Sequence, residues 1–350
     1  MISFLNKRSS DKYNRRTSDK HSLHQARPQA RSQTSSQVPH QAKDDSLDTV
    51  TNTPSMTPAE SSQNTPQVFA FIGANGGVGT TSLAVQFAYE LTLKHKNKHT
   101  YNRRAKDSQV CLIDLDFEGG TCSYHLDLRP SLSVDDLSHD AKQIDPTFTS
   151  ALVSTHECGI SLLAVPNTPQ ANQRINPHAV MAMIDAATHL YRYVIIDMPR
   201  YSQAWTPAIM TGADFVGVVS ELTIASLHMA RDQLNRTTKD VQNTSHIHPI
   251  LNKYDKRSIK NTLQLRDAET VLGRSVIGTV SMDTDTTREA INCGEAIGAI
   301  RPNSRYVKDA RQLFMSIIQT STPQVTSNSE EIVSQSSATT LTNHEPIKAA

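Results

Sequence analysis

The chain has 350 residues, a formal net charge of +1 and four cysteines. This near-neutral balance argues against bulk electrostatic binding to nucleic acid, so no specific nucleic-acid contact is predicted. No apolar run approaches the roughly 18 to 20 residues that a membrane span requires, so we expect a soluble, cytoplasmic protein without a transmembrane segment.

The first 65 residues form a polar, basic segment. They are rich in Ser, Gln, Lys and Arg and nearly empty of Val, Ile and aromatic residues, which predicts a disordered arm. Residues 1–31 contain eight Lys or Arg against two Asp, a charge that suits an acidic membrane surface, nucleic acid or an acidic partner. A solvated tail without a dedicated ligand is the alternative. Residues 322–350 are again rich in Ser, Thr, Asn and Gln and predict a second disordered tail.

Residues 66–321 form one predicted domain in which short apolar runs alternate with amphipathic segments. The runs predict buried parallel strands at residues 68–73, 110–116, 160–166, 193–199, 215–220, 248–254 and 275–281. Apolar residues at three- and four-residue spacing predict helices at 81–94, 177–190, 224–235, 259–272 and 306–318. This alternation indicates an α/β fold with a doubly wound, mostly parallel sheet of about seven strands and helices on both faces. Ligands of such sheets bind at the carboxyl ends of the strands.

Two groups of residues are expected to pack in the core. Four cysteines are scattered without CxxC or CxxxH spacing, which predicts reduced thiols that act as small hydrophobes, with a zinc site as the alternative: Cys111, Cys122, Cys158 and Cys293. Met183 and Met229 lie on the apolar stripes of their predicted helices and are expected to be buried.

The first predicted strand ends directly in "GANGGVGTTS", which opens a helix. This is the context of a phosphate-binding loop. Gly76, Gly77 and Gly79 allow positive φ and close approach, so successive N–H groups can form an anion nest at the start of the helix. Thr81 stands where a hydroxyl would coordinate magnesium. The spacing does not fit the GxGxxG dinucleotide fingerprint, and a purely structural glycine turn is the alternative.

Carboxylates follow two further predicted strands. Asp114 and Asp116 end the second strand in "CLIDLDFEGG", and Asp197 ends a later one in "YVIIDMP". A carboxylate after four apolar residues is costly unless it binds a cation, water or backbone donors. Asp197 occupies the Walker B position for magnesium, Asp116 is a candidate for orienting an attacking water, and Asp114 is a candidate for the metal shell. Capping of the helices that follow is the alternative for Asp114 and Asp116.

Four stretches together resemble the MinD/ParA group of deviant-Walker P-loop ATPases: "NGGVGTT", "CLIDLDFEGGTCSYHLDLRPSLSVDDL", "YRYVIIDMPRYSQAWTPAIMTGADFVGVVS" and "ILNKYDKRSIK…AINCGEAI". The resemblance covers residues 66–320. Within that group the second stretch and "IDMPR…W" are most similar to CpaE/TadZ, the accessory proteins of Tad (Flp) pilus assembly.

The resemblance implies ATP and Mg²⁺ as ligands. It also implies a homodimer with nucleotide between the subunits, which localises to a cell pole or an inner-membrane site and recruits pilus or secretion-system components. Carried onto this chain, Thr81, Asp114 and Asp197 would serve the metal, and Asp116 would be the hydrolytic carboxylate. The nucleotide would contact Asn75, Gly76, Gly77, Val78, Gly79, Thr80, Thr81, Ser82 and, at the adenine edge, Asn252.

This chain departs from the family at two cations. The deviant motif KGGxGKT has two lysines, and the equivalent positions here are Asn75 and Thr80. Loss of charge-assisted hydrogen bonds weakens phosphate binding and weakens hydrolysis more. Three hypotheses follow: a CpaE-like scaffold biased by bound ATP with weak or absent hydrolysis, a working MinD/ParA-type ATPase with a substitute cation, and a nucleotide-free docking scaffold.

Overall fold

The computed structural model describes residues 65–96, 108–240, 243–255 and 263–321. Residues 1–64 and 322–350, for which the sequence predicts disorder, lie outside the described part of the chain.

A single sheet of eight strands forms the centre of the described residues. The strands are β1 (Gln67–Gly73), β2 (Val110–Asp114), β3 (Ser154–Thr155), β4 (Ile160–Leu163), β5 (Tyr193–Met198), β6 (Phe215–Ser220), β7 (Ile247–Tyr254) and β8 (Gly278–Ser281). Their order is β3-β4-β2-β5-β1-β6-β7-β8, and each pair is parallel except β3 with β4. The predicted α/β doubly wound sheet is therefore confirmed, with one short antiparallel edge strand added.

Helices connect the parallel strands, as a parallel sheet requires. They are α1 (Thr80–Lys96), α2 (Cys122–His125), α3 (Pro146–Ala151), α4 (Ala171–Arg174), α5 (Pro177–Leu190), α6 (Thr206–Gly212), α7 (Ile224–Asp240), α8 (Leu265–Leu272), α9 (Thr284–Cys293), α10 (Ile297–Ile300) and α11 (Arg305–Ser321). Local chemistry fixes several starts. At α5, for example, Asn176 accepts a hydrogen bond from the His178 N–H and Pro177 is the first helical residue.

Two apolar layers cover the sheet, one on each face. The side chains of β1 alternate between them: Ala70 and Ile72 pack in the layer that contains α5 and α7, whereas Phe69 and Phe71 pack in the layer that contains α1 and α11. On the second face Phe87 lies with its ring centroid 4.9 Å from that of Phe69 and 5.5 Å from that of Phe71. Parallel pairing places Phe71 of β1 and Asp114 of β2 opposite Asp197 of β5, so the carboxyl ends of these three strands meet at one edge of the sheet.

Some details differ from the sequence-based expectations. The edge strand β3 was not predicted because Ser154 and Thr155 show no apolar pattern. The helix predicted at 259–272 is observed at Leu265–Leu272, because Gln264 caps its start; residues 259–262 lie outside the described residues. The expectation for Met229 was wrong: its side chain is 49% exposed, because α7 buries Leu227 and Ala230 on the opposite side. Met183 is buried as expected. Cys111, Cys122 and Cys158 are also buried, whereas Cys293 is exposed, so the expectation of core packing was wrong for Cys293.

Candidate functional site

The glycine-rich loop joins the end of β1 to the start of α1. The Ala74 N–H donates to the Val219 carbonyl at 2.8 Å, which fixes the beginning of the loop against β6. Gly77 and Gly79 have φ values of 81° and 86°, in the left-handed region that favours glycine. A Cβ on Gly79 would also lie 2.5 Å from Asn252 Nδ2. The loop leads into the first turn of α1, whose free N–H groups and dipole favour a bound anion.

A cleft of about 690 Å³ lies at the carboxyl edge of the sheet. Its volume falls within the range of small-molecule sites, on the order of 300 to 1,000 Å³. Its lining contains the glycine loop with Asp116, Asp197 and Asn252, together with residues 281–284 and part of α9. All the residues predicted for the site line this cleft except Asp114. The topology therefore brings together side chains that are far apart in the sequence.

Thr81 and Asp197 meet at the bottom of the cleft. The Thr81 hydroxyl donates to Asp197 Oδ2 at 2.6 Å, and Cys122 Sγ lies 3.5 Å from the same oxygen. Burial raises the pKa of Asp197, and the neighbouring Asp114 carboxylate raises it further, against the lowering effect of the Thr81 and Cys122 hydrogen bonds. A hydroxyl and a carboxylate are oxygen ligands suited to Mg²⁺, and the cation would favour the ionised form of Asp197. These residues fit a magnesium ion.

Asp114 lies close to this pair, and its carboxylate is hydrogen-bonded to the backbone. Its carboxylate accepts the Asp116 N–H at 3.1 Å and the Cys122 N–H at 3.0 Å, at the first residue of α2. A Cβ on Gly120 would lie 2.5 Å from the same carboxylate, so the chain folds tightly around it. This contact is the helix-capping role that the sequence left open for Asp114. Its ligand oxygen is nevertheless within 4.8 Å of the Cys122 sulfur and an Asp197 oxygen, and a direct place in a metal shell stays a prediction.

Asp116 follows Asp114 in the same loop and lines the cleft. One of its carboxylate oxygens accepts the Gly119 N–H at 3.1 Å, so the loop holds the group in place while it faces the cleft. A carboxylate in this position is near the glycine loop, where a phosphate would lie. The hydrolytic role of Asp116 stays a prediction.

The two positions that lack lysine carry neutral side chains with local contacts. Asn75 Oδ1 accepts a 2.6 Å hydrogen bond from Ser226 Oγ in α7 of the same chain. Thr80 folds back toward β1, with Oγ1 2.7 Å from the position that a Cβ on Gly73 would take. The Asn75 side chain is therefore held against α7 of its own chain, and neither Asn75 nor Thr80 supplies charge to the loop.

The cleft also contains cations from other elements, which the sequence motifs did not predict. Among the described residues that line the cleft are Arg200 after β5, Lys253 in β7 and Arg288 in α9. The Lys253 ammonium donates to the Gly77 carbonyl of the loop and pairs with Glu221 at 2.8 Å. Lys253 directly follows Asn252 in "NKYD", but this position alone does not indicate that its side chain turns toward the loop.

A histidine also supports the first turn of α1. His125 Nδ1 lies 2.9 Å from the Thr121 carbonyl, which requires a proton on Nδ1, and Nε2 then accepts from the Ser82 hydroxyl at 3.1 Å. Burial lowers the pKa of His125, which favours this neutral form. His125 thus orients Ser82 without adding charge to the cleft.

Two residues that line the cleft have a buried polar atom without a partner among the described residues. Asn252 donates through Nδ2 to the Val78 carbonyl at 2.8 Å, but its Oδ1 accepts no hydrogen bond. The hydroxyl of Tyr306, at the start of α11, also has no partner. Buried polar atoms normally find hydrogen bonds. These two atoms, both on cleft-lining residues, therefore mark positions for a polar ligand.

Comparisons with solved structures identify the fold. A ParA family ATPase from Chlorobium tepidum TLS aligns with a TM-score of 0.62 and 23% identity, over 72% of this chain and 98% of that one. The MinD cell division ATPase of Pyrococcus furiosus aligns with a TM-score of 0.58 and 17% identity, over 72% and 98%. MinD of Pyrococcus horikoshii OT3, complexed with Mg-ADP, aligns with a TM-score of 0.55 and 16% identity, over 72% and 96%. The sequence matches no protein-family model and no curated protein.

The fold is therefore that of the ParA and MinD P-loop ATPases. Among the helices of residues 65–96, 108–240, 243–255 and 263–321, none combines the length and apolarity needed to cross a membrane.

Proposed function

We propose that this chain is a CpaE/TadZ-like, ATP-binding accessory protein for the assembly and positioning of a Tad (Flp) type pilus, with weak or absent ATP hydrolysis. The observation that carries the nucleotide part is the 2.6 Å contact of Thr81 with Asp197 beside the glycine loop, in a cleft of suitable volume. A metal-ligand pair next to an anion nest is the arrangement that Mg-ATP requires.

Each part of the cleft has a distinct task in this proposal. The loop N–H groups and the start of α1 bind the phosphates, and Thr81 with Asp197 holds Mg²⁺. When bound, the ion neutralises phosphate charge. Asn252 Oδ1 and the Tyr306 hydroxyl contact the base end of the nucleotide. Two similar folds support this reading: MinD from Pyrococcus horikoshii was solved with Mg-ADP, and a partition protein (BB_S35) from Borrelia burgdorferi B31, with a TM-score of 0.51, was solved with AMPPNP.

Weak hydrolysis follows from the neutral residues in the loop. Asn75 and Thr80 cannot stabilise the charge that develops on the transferred phosphate. ATP binding is weakened less than hydrolysis, because the backbone N–H groups of the loop and the helix dipole remain. We therefore assign ATP a role as a bound signal that biases the conformation or association of the protein.

The pilus assignment depends on the stretches that resemble CpaE/TadZ, and a homodimer is part of it. Three large apolar side chains are exposed where strands end at the cleft edge: Tyr201 after β5, Ile224 at the start of α7 and Met282 after β8. Such side chains at one edge suit a surface that another subunit covers. In this proposal the dimer acts in the cytoplasm and is held at a pole or the inner-membrane face by partners.

Isothermal titration with ATP and magnesium tests the nucleotide part. We expect saturable binding that requires Mg²⁺ and disappears in Gly79→Val, whose side chain would collide with Asn252. No binding at millimolar nucleotide would end this part and favour a nucleotide-free docking scaffold. For the pilus part, a two-hybrid screen against a Tad secretion ATPase and platform protein should give a positive pair, and a partition-type partner alone would contradict it.

A second candidate is an ATPase that cycles as MinD or ParA proteins do. Asp116 on the cleft wall and the Lys253 ammonium at the loop favour it, because they supply a carboxylate and a cation where hydrolysis needs them. Steady-state phosphate release that Asp116→Ala abolishes would support this candidate. Undetectable turnover in the protein with bound Mg-ATP would remove it.

A further inference from the structure

Lys253 lies at an irregular point of β7. Its φ is 53°, in the left-handed region that non-glycine residues rarely adopt. The register between β7 and β8 shifts between Leu251 and Tyr254, on either side of it. Such irregularities redirect side chains and are frequent beside functional sites. Here the distortion coincides with a cation that points to the glycine loop.

The Lys253 ammonium is held by two oxygens. It donates to the carbonyl of Gly77, at the turn of the loop where φ is 81°, and it pairs with Glu221 Oε1 at 2.8 Å. The Lys253 and Glu221 side chains are 41% and 27% exposed, so both can exchange partners without disturbing the core. An ammonium has three N–H donors, and two of them are accounted for by these oxygens.

The other two described cations of the cleft are bound differently. The Arg200 guanidinium lies 4.3 Å from the centre of the Tyr201 ring and donates to the Tyr201 hydroxyl. It passes close to Gly76, with Nη1 3.3 Å from the position of a Cβ there. Arg288 lies on α9, which also lines the cleft. Of the three, Lys253 is the cation that contacts a carbonyl of the loop.

We propose that Lys253 supplies the phosphate-binding cation that Asn75 and Thr80 do not, with Glu221 as its counterion when no anion is bound. The proposal rests on the nucleotide-binding function and names the residue that completes it. The third N–H donor reaches a phosphate oxygen in the loop. Glu221 competes for the same charge, so its removal strengthens phosphate binding, whereas removal of Lys253 weakens it.

The test measures affinity for Mg-ATP, AMP and magnesium tripolyphosphate, which has the phosphate chain without sugar or base. We expect Lys253→Gln to lower the affinity for ATP and tripolyphosphate about 10- to 100-fold, the range of a charge-assisted hydrogen bond. AMP affinity should change little, and Lys253→Arg should retain most of the affinity for ATP. Glu221→Gln should raise the affinity for both polyphosphates, and the double variant should match Lys253→Gln.

A matched control is Arg301→Gln, which removes an exposed cation paired with Glu289 at 2.9 Å outside the cleft. It should leave all three affinities unchanged. Thermal unfolding of each variant verifies that the protein is folded. These outcomes distinguish a phosphate contact from a purely structural role of Lys253 in supporting the loop. If Lys253→Gln lowered the affinities for AMP and ATP equally, the proposal would be overturned. A larger loss of ATP affinity in Arg200→Gln would overturn it too.

Failure of the nucleotide function has a different signature. If wild-type protein binds tripolyphosphate but not ATP, and Lys253→Gln loses tripolyphosphate, the phosphate cation stands and the ATP assignment falls. If wild type binds ATP and Lys253→Gln binds it equally well, the ATP assignment stands and the Lys253 proposal falls. Absence of binding to either polyphosphate by wild type would remove both.

Discussion

The Thr81 hydroxyl donates a 2.6 Å hydrogen bond to the buried carboxylate of Asp197, which is 116 positions away in the chain. The contact joins the first turn of α1 to the end of β5, since β1 and β5 are paired neighbours in the sheet. In the absence of a cation, burial and the adjacent Asp114 raise the pKa of Asp197. Burial raises the pKa of Asp114 as well, and the two backbone N–H bonds that it accepts limit this increase.

Asp197→Asn is expected to stabilise the metal-free protein while it removes magnesium binding. Because the native pKa lies above the ordinary value of 3.8, the folded state binds more protons than the unfolded state between that value and the raised pKa. The stability of wild type therefore falls as pH rises through this window. Asp197→Asn has no ionisable group at this position, so its stability does not fall in this way. It should be as stable as wild type near pH 4 and increasingly more stable than wild type toward neutral pH.

Thermal unfolding at several pH values checks this prediction. Each kcal/mol corresponds to about 2 to 4 °C in a protein of this size. Added Mg²⁺ should narrow the difference by stabilising wild type alone. A stability gap that does not change between pH 4 and pH 8 would contradict the raised pKa as its cause.

Two glycines of the loop provide a matched pair. Gly77→Ala places a Cβ in open space, with nothing within 4 Å, at a φ of 81°. Its cost is the left-handed backbone alone, about 1 to 2 kcal/mol. Gly79→Ala has a similar φ of 86°, but its Cβ would lie 2.5 Å from Asn252 Nδ2. We expect a further loss of about 1 to 3 kcal/mol, because the Asn252 hydrogen bond to Val78 is displaced.

Urea unfolding of the two alanine variants measures the difference. The Mg-ATP thermal shift should be reduced in Gly77→Ala and absent in Gly79→Ala, since Asn252 also contacts the nucleotide in our proposal. Equal destabilisation by the two substitutions would mean that Asn252 moves aside at no cost.

Thr80→Lys introduces the second lysine of the KGGxGKT motif that the glycine loop resembles. Thr80 lines the cleft, so a longer side chain there can reach the phosphates. We expect ATP affinity to rise about 10-fold or more, because a charge-assisted hydrogen bond contributes about 1.5 to 3 kcal/mol. In a Lys253→Gln background the same change should restore the lost affinity. Thr80→Met is the uncharged control, and an equal gain in affinity with Met would show that length rather than charge is responsible.

Much of the fold was predictable because buried parallel strands are continuous apolar runs. The predicted boundaries of Phe215–Ser220 and Pro177–Leu190 agree with the observed strand and helix. Helix α9 (Thr284–Cys293) was missed, since few of its residues are apolar. Its ends depend on caps instead: Asp283 accepts the Thr286 N–H at the start, and Gly294 adopts a φ of 68° at the end.

The site also contains some residues that the sequence predicted and others that it did not. Strand ends and the glycine loop were visible in the sequence, so the topology was enough to bring Thr81 and Asp197 together. Lys253 was not predicted, because its direction depends on a left-handed backbone and a register shift that no local pattern encodes. The inward contact of Asn75 with Ser226 depends equally on tertiary packing. The proposed role of Lys253 in phosphate binding therefore has no signal within the glycine-loop motif.

Tyr306→Phe tests the base end of the cleft. The Tyr306 hydroxyl is buried without a partner among the described residues, and burial raises its pKa far above the ordinary range, so it stays a neutral donor. Removing an unpaired buried hydroxyl should stabilise the nucleotide-free protein by about 1 kcal/mol. If the hydroxyl contacts the nucleotide, as we propose, ATP affinity should fall about 3- to 10-fold, the range of a neutral hydrogen bond.

Calorimetric unfolding measures the stability of Tyr306→Phe, and ATP titration measures its affinity for the nucleotide. Tyr124→Phe is the control, because Tyr124 is exposed and lies outside the cleft lining. It should change neither quantity. Tripolyphosphate lacks a base, so its affinity for Tyr306→Phe should equal that of wild type. A parallel loss of tripolyphosphate affinity would show that the substitution disturbs the phosphate loop instead, and unchanged ATP affinity with raised stability would place the base away from Tyr306.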